Sequence, residues 1–84
     1  MNQQIPLSIP KQNEIELAAM RENFKALRLA KGWTIEDLAK LSGIDAKILA
    51  AIEGGQDFEV HYLIQLCRVY RVKPHEIFTR VEII

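Results

Sequence analysis

The stretch Thr34-Ile-Glu-Asp-Leu-Ala-Lys-Leu-Ser-Gly43-Ile-Asp-Ala-Lys-Ile-Leu-Ala-Ala-Ile-Glu53 decides how this chain folds. Two short apolar-periodic segments stand on either side of Gly43, and each opens on a residue suited to capping a helix, Thr34 and then Asp45. Glycine at the junction admits the left-handed backbone conformation that swings one helix across the next. Leu38, Ala39 and Leu41 supply the buried side of the first segment, Ile44 points inward from the turn, and Leu49 and Ile52 are buried from the second. Gly54-Gly55 stops that helix, and Asp37 lies in the first turn of the preceding one, where a carboxylate suits the helix dipole.

Working outward, Asn13 with Glu16 reads as a capping box, so a first helix is expected from about Glu14 to Lys31. Met20, Phe24, Leu27 and Ala30 form its core stripe, Gly32 closes it, and Trp33 packs over its end. Beyond Gln56-Asp57 a fourth helix is predicted over residues 59–70, turning Val60, Leu63, Ile64, Leu66, Cys67 and Tyr70 to the core. Pro74 is placed to open a short fifth helix containing Ile77 and Phe78.

The termini read differently. Pro6 and Pro10 argue against a helix over residues 1–13, and Ile5, Leu7 and Ile9 alternate as an extended strand would. That stretch is either a strand-like arm or a frayed end. Val81-Glu82-Ile83-Ile84 is β-branched and apolar, and it reads as a strand in need of a partner. The expected organisation is an extended arm (1–13), one all-α domain (14–79) and a strand-like tail (80–84).

The chain has 84 residues, 49% of them hydrophobic and 26% charged, which describes one small domain whose stability could lean on a partner subunit. It has no apolar run of membrane-spanning length and no secretory pattern at its start, and the single Cys67 rules out an internal disulfide and fits a reducing cytoplasm. His61, Cys67 and His75 match no zinc-ligand spacing, and no phosphate-cradling glycine loop is present. No metal, cofactor or enzymatic activity is expected. The net charge is zero but unevenly spread, +3 over residues 21–33 and −4 over residues 34–59.

A helix, a tight glycine turn and a second helix form the reading unit of many DNA-binding proteins. The set Leu27-Arg28, Gly32, Thr34, Leu38-Ala39, Gly43-Ile44, Ile52-Glu53, Gly55 and Leu66 to Val72 before Pro74 occurs in order at the right intervals. By that set, residues 23–79 resemble the Cro and lambda-repressor type of helix-turn-helix domain, also called XRE-like. The resemblance implies a five-helix lambda-repressor-like bundle and a cytoplasmic transcriptional regulator, a repressor, binding duplex DNA as a homodimer. It further implies an ion pair between Arg28 and Glu53, and DNA-facing positions at Ile35, Ala46, Lys47, Ala50 and Ala51.

Those positions depart from the family pattern. Ile35 stands where relatives carry a polar residue, often Gln, and of the third-helix positions only Lys47 can donate a hydrogen bond to a base or phosphate. Arg71 replaces a frequent glycine at the end of the fourth helix. What remains for DNA is the Thr34 hydroxyl, the amides that open the second helix, and Lys31, Lys40, Lys47 and Gln56 near the groove edges. The competing reading is a protein-interaction module, antitoxin-like or a repressor antagonist, docking through the small apolar face Ala46, Ile48, Ala50 and Ala51. In the regulator reading, the homodimer is expected to form through Ile5–Ile9 of one subunit and Val81–Ile84 of another.

Overall fold

The computed structural model describes the backbone of residues 8–79 and the side chains of residues 14–79. Four α-helices follow one another, α1 (Ser8–Ala30), α2 (Ile35–Ser42), α3 (Ala46–Gly54) and α4 (Val60–Tyr70), and a 3-10 helix (Pro74–Phe78) closes the described chain. There is no strand among the described residues. The expected fifth α-helix is therefore a 3-10 turn. Its five residues, opened by Pro74 at the first position, are too few to hold a run of α-type bonds. The strand expected at residues 80–84 lies outside the described residues, as does the arm over residues 1–7.

The first helix starts earlier than its sequence suggests. Residues 8–13 are helical, so the extended arm does not include them and Asn13 lies inside α1 instead of capping it. Pro10 is the third residue of α1, where an N–H would have no acceptor one turn back, so proline there removes no hydrogen bond. At the other end Gly32 takes φ 72° and the Trp33 N–H donates to the Arg28 carbonyl at 3.1 Å, closing the helix as a glycine cap. Trp33 then stacks on Tyr70 of α4, ring centroids 5.9 Å apart.

The hinge between α2 and α3 is built from local bonds. Thr34 and Asp37 form a reciprocal capping box, and Gly43 sits left-handed at φ 75° with its N–H donating to the Ala39 carbonyl at 2.9 Å. A side chain at Gly43 would meet nothing nearer than Gln65 Nε2 at 3.9 Å, so the backbone angle and not space demands glycine. Asp45 caps α3 by accepting from the Lys47 N–H at 2.7 Å, and Gly55 ends it at φ 87°.

The core gathers Met20 and Phe24 of α1, Leu38 of α2, Ile44 of the turn, Leu49 and Ile52 of α3, four residues of α4 (Leu63, Leu66, Cys67, Tyr70) and Ile77. Four expected core residues are instead exposed: Ala30, Leu41 at 57%, Val60 at 71% and Ile64 at 37%. At about 100° per residue, Leu41 and Ile64 stand roughly 100° from the centre of the buried arc of their helices, and Ser42 takes the place Leu41 would have filled. Val60 is the first residue of α4, ahead of the helix's buried residues Leu63, Leu66, Cys67 and Tyr70.

Two buried polar side chains tie the elements together. The Asn23 amide donates to the carbonyls of Ile77 (2.8 Å) and Thr79 (2.5 Å), fixing the 3-10 helix to α1. Ser42 Oγ accepts from the Ile44 N–H at 3.1 Å, while its carbonyl accepts from Gln65 of α4 at 2.5 Å.

Candidate nucleic-acid interface

With Leu49 and Ile52 buried, α3 turns Ala46, Lys47, Ala50, Ala51 and Gly54 to the other side. Lys47, Ala50 and Gly54 are exposed, and Ala46 and Ala51 are half-buried. Ile48 is half-buried against the core, so the small apolar face expected to include it consists of three alanines. Ile35 at the start of α2 also packs partly on the core. Thr34, Lys31 and Lys40 are exposed on the α2 side, and Gln56 is exposed just past the end of α3.

A two-pronged ion pair holds α3 against α1. Arg28 Nε donates to Glu53 Oε2 and Arg28 Nη2 donates to Oε1, both at 2.9 Å, with the side chains only 12% and 10% exposed. The third guanidinium nitrogen donates to the Trp33 carbonyl at 2.8 Å. Hydrogen bonding to Glu53, outweighing burial, holds the Arg28 pKa above its usual value. Bidentate geometry fixes the rotation of α3 as well as its distance, because both carboxylate oxygens are used. Tyr70 lies close by, its hydroxyl buried with no hydrogen-bond partner among the described residues, and burial together with the Glu53 charge pushes its pKa up to about 12.

The helix terminus expected to receive a phosphate is already partly engaged. The Thr34 N–H donates to Asp37 Oδ2 at 2.9 Å, and Thr34 Oγ1 accepts from the Asp37 N–H at 3.0 Å. Bonds from the Thr34 backbone and side chain lower the Asp37 pKa below its usual value, so a full carboxylate charge sits where the α2 dipole is positive. Thr34 can still donate its hydroxyl proton outward. Asp37 thus sets the charge of this surface, and the Thr-x-x-Asp spacing signals it in the sequence. Gly54 is the other addition, readable from its helical spacing to Lys47 and Ala50.

Lys40 and Leu41 border a shallow recess with Trp33 and Asp37, and Lys31 Nζ stands 5.9 Å from the centre of the Trp33 ring. Elsewhere, no three His, Cys, Asp or Glu side chains among the described residues are grouped to hold a metal ion. Cys67 is buried, and burial raises its thiol pKa. His61 packs on Tyr62 at 4.0 Å on the exposed side of α4. None of the described helices is long and apolar enough to cross a membrane.

In geometric terms, α2 and α3 form a paired unit whose outward side is small, smooth and marked by one cation on α3. Such a surface can approach a groove closely and contact methyl groups, with its lysines left to find phosphate oxygens. Comparison with known families agrees with the geometry: the model of the helix-turn-helix family matches residues 24–77, well over half of the chain. Among curated proteins and solved structures, nothing matches.

Proposed function

The chain belongs to the helix-turn-helix family of the Cro and lambda-repressor type, a family of DNA-binding regulators, and from that premise we propose that it is a sequence-dependent transcriptional repressor acting on duplex DNA as a homodimer. One observation carries the reading: Ala46, Lys47, Ala50 and Ala51 lie on the side of α3 away from the core, on a helix whose rotation the Arg28–Glu53 pair fixes. In this reading α3 enters the major groove while α2 crosses the backbone, and a dimer reads two half-sites about 34 Å apart.

The residue chemistry defines how such a protein would discriminate. Without Arg, Asn or Gln on the outward arc of α3 it forgoes bidentate base contacts, each worth about 1–3 kcal/mol. Discrimination then rests on thymine methyls against Ala46, Ala50 and Ala51 and on duplex shape. Lys47, Lys40, Gln56 and the Thr34 hydroxyl supply positioning contacts to phosphates. Binding is expected to be salt-sensitive and broad in sequence.

Anisotropy of a labelled duplex, titrated at low and then rising salt, tests this. Binding that weakens steeply with salt, and a Lys47→Ala variant that binds more weakly on every sequence with a slope smaller by about 1, supports the reading. Flat titrations at micromolar protein would sink it. They would favour a protein-interaction module instead, to which the three-alanine patch with its single charge is also suited.

A further inference from the structure

Arg21 stands two turns before Arg28 on the same side of α1, and it too reaches the end of α3. Its guanidinium lies over Gly55, where a side chain would meet Arg21 Nη1 at 2.7 Å and Cδ at 3.2 Å. The glycine that ends α3 at φ 87° therefore also makes room for this arginine. Arg28 is spent on Glu53 and the Trp33 carbonyl, whereas Arg21 has no hydrogen bond or ion pair among the described residues. Asp57 lines the same recess, with Leu17 and Val60, and the two charges are not paired there. Resting on the DNA-binding reading above, we propose that Arg21 is a phosphate-binding residue of the interface, gripping the DNA backbone at the C-terminal end of α3.

Place and chemistry both point to phosphate. Gly55 lies one turn beyond Ala51 and directly after Gly54, on the flank of the α3 surface that carries Lys47, Ala50 and Gly54. From Lys47 to Gly55 is about 12 Å along the axis at ~1.5 Å per residue, and the major groove is about 12 Å wide. Lys47 and Arg21 thus bracket the outward arc of α3 and are spaced to meet phosphates on its two sides. A contact to a base edge fits less well, because the guanidinium sits on the flank of the helix and not on its outward arc.

The side chain is suited to that task. A guanidinium offers its N–H donors as a planar fork that engages two phosphate oxygens at once. Arg21 is half-buried, its stem lining the apolar recess, so less freedom is lost on binding than for a fully exposed lysine. The uneven charge of the sequence is brought to use in this way. Of the cations on α1, Arg28 is neutralised by Glu53, and Arg21 is carried to the rim of the neighbouring helix.

Anisotropy of labelled duplexes of three unrelated sequences, titrated over a salt series, tests the assignment on the full chain and its Arg21→Met and Arg21→Lys variants. Methionine keeps an apolar stem in the recess, so circular dichroism and Trp33 emission are expected to show an unchanged fold. Arg21→Met is expected to bind about five- to tenfold more weakly at ~0.1 M salt on every duplex, with a salt slope smaller by about 1. Arg21→Lys keeps the charge and loses the fork, so it is expected to keep the slope and bind with intermediate affinity. A methionine variant that binds like the unsubstituted chain overturns the proposal. So does weaker binding at an unchanged slope, which marks a purely structural role, or a loss confined to one duplex, which marks base reading. Flat titrations of the unsubstituted chain would remove the DNA-binding reading, and this proposal with it.

Discussion

Glu53→Ala is expected to cost this domain a large share of its stability. Glu53 accepts two bonds at 2.9 Å from a guanidinium only 12% exposed, so its removal leaves Arg28 with the Trp33 carbonyl as its one remaining partner. Stranding a largely buried charge in this way costs about 3–5 kcal/mol. A chain of this length has roughly 4–12 kcal/mol to lose, at ~0.05–0.15 kcal/mol per residue. The alanine variant therefore stands near its unfolding transition at room temperature. Glu53→Gln, which keeps the shape and one acceptor, is the more measurable variant at about 2 kcal/mol, or ~8–16 °C in Tm. Urea titration followed by emission of the single Trp33, which stacks on Tyr70, reports the transition. Arg28→Met combined with Glu53→Leu should recover most of the loss, because neither charge is then buried. A Glu53→Ala cost below about 0.5 kcal/mol, or single-variant costs that simply add in the double variant, would refute this account of the pair.

Tyr70 holds its proton more tightly in the folded chain than in the unfolded one, its pKa raised from 10.0 to about 12 by burial first and the Glu53 charge second. Stability should therefore be intact below pH 10 and fall as pH climbs toward 12, by roughly 2–3 kcal/mol in all. Tyr70→Phe should remove that contribution and, by deleting a buried hydroxyl without a described partner, cost little at neutral pH. Arg71 closes α4 at φ 58° with its side chain exposed, so Arg71→Gly should raise stability by up to ~1 kcal/mol, read as a higher Tm by circular dichroism. Asp37→Asn keeps an oxygen for the cap but removes the charge at the start of α2, and anisotropy should show tighter DNA binding at low salt. In the unsubstituted protein the contribution of the Asp37 carboxylate to stability is present above pH 3.8 and is lost as pH falls through the lowered folded value.

The parts of this fold that were legible in the sequence are those set by neighbours a few residues apart. Thr34, Gly43, Asp45 and Gly55 each act through local backbone angles and bonds, so their spacing alone located both helices of the hinge. Reading failed where position within an element mattered. Pro10 argues against a helix interior but is harmless in a first turn, which is where α1 places it. Leu41, Val60 and Ile64 are apolar at nearly the right period, and only the packing direction of each helix shows them to be exposed. Asn23 gave no signal at all, because its two acceptors lie more than fifty residues away along the chain. At the candidate interface the residue types on α3 were readable, whereas the turning of Ile35 and Ile48 toward the core and the engagement of Thr34 by Asp37 required the packed structure.

The clasp made by Asn23 has a practical corollary for anyone trimming this protein. The stretch shared with the helix-turn-helix family begins at residue 24 and ends at residue 77, and Asn23 stands one position outside it, gripping Ile77 and Thr79. A piece cut at those borders would keep every recognisable landmark and lose the latch that joins its two ends. Minimal versions should begin no later than Met20 and run through Thr79, so that the latch and the buried Met20 are both retained.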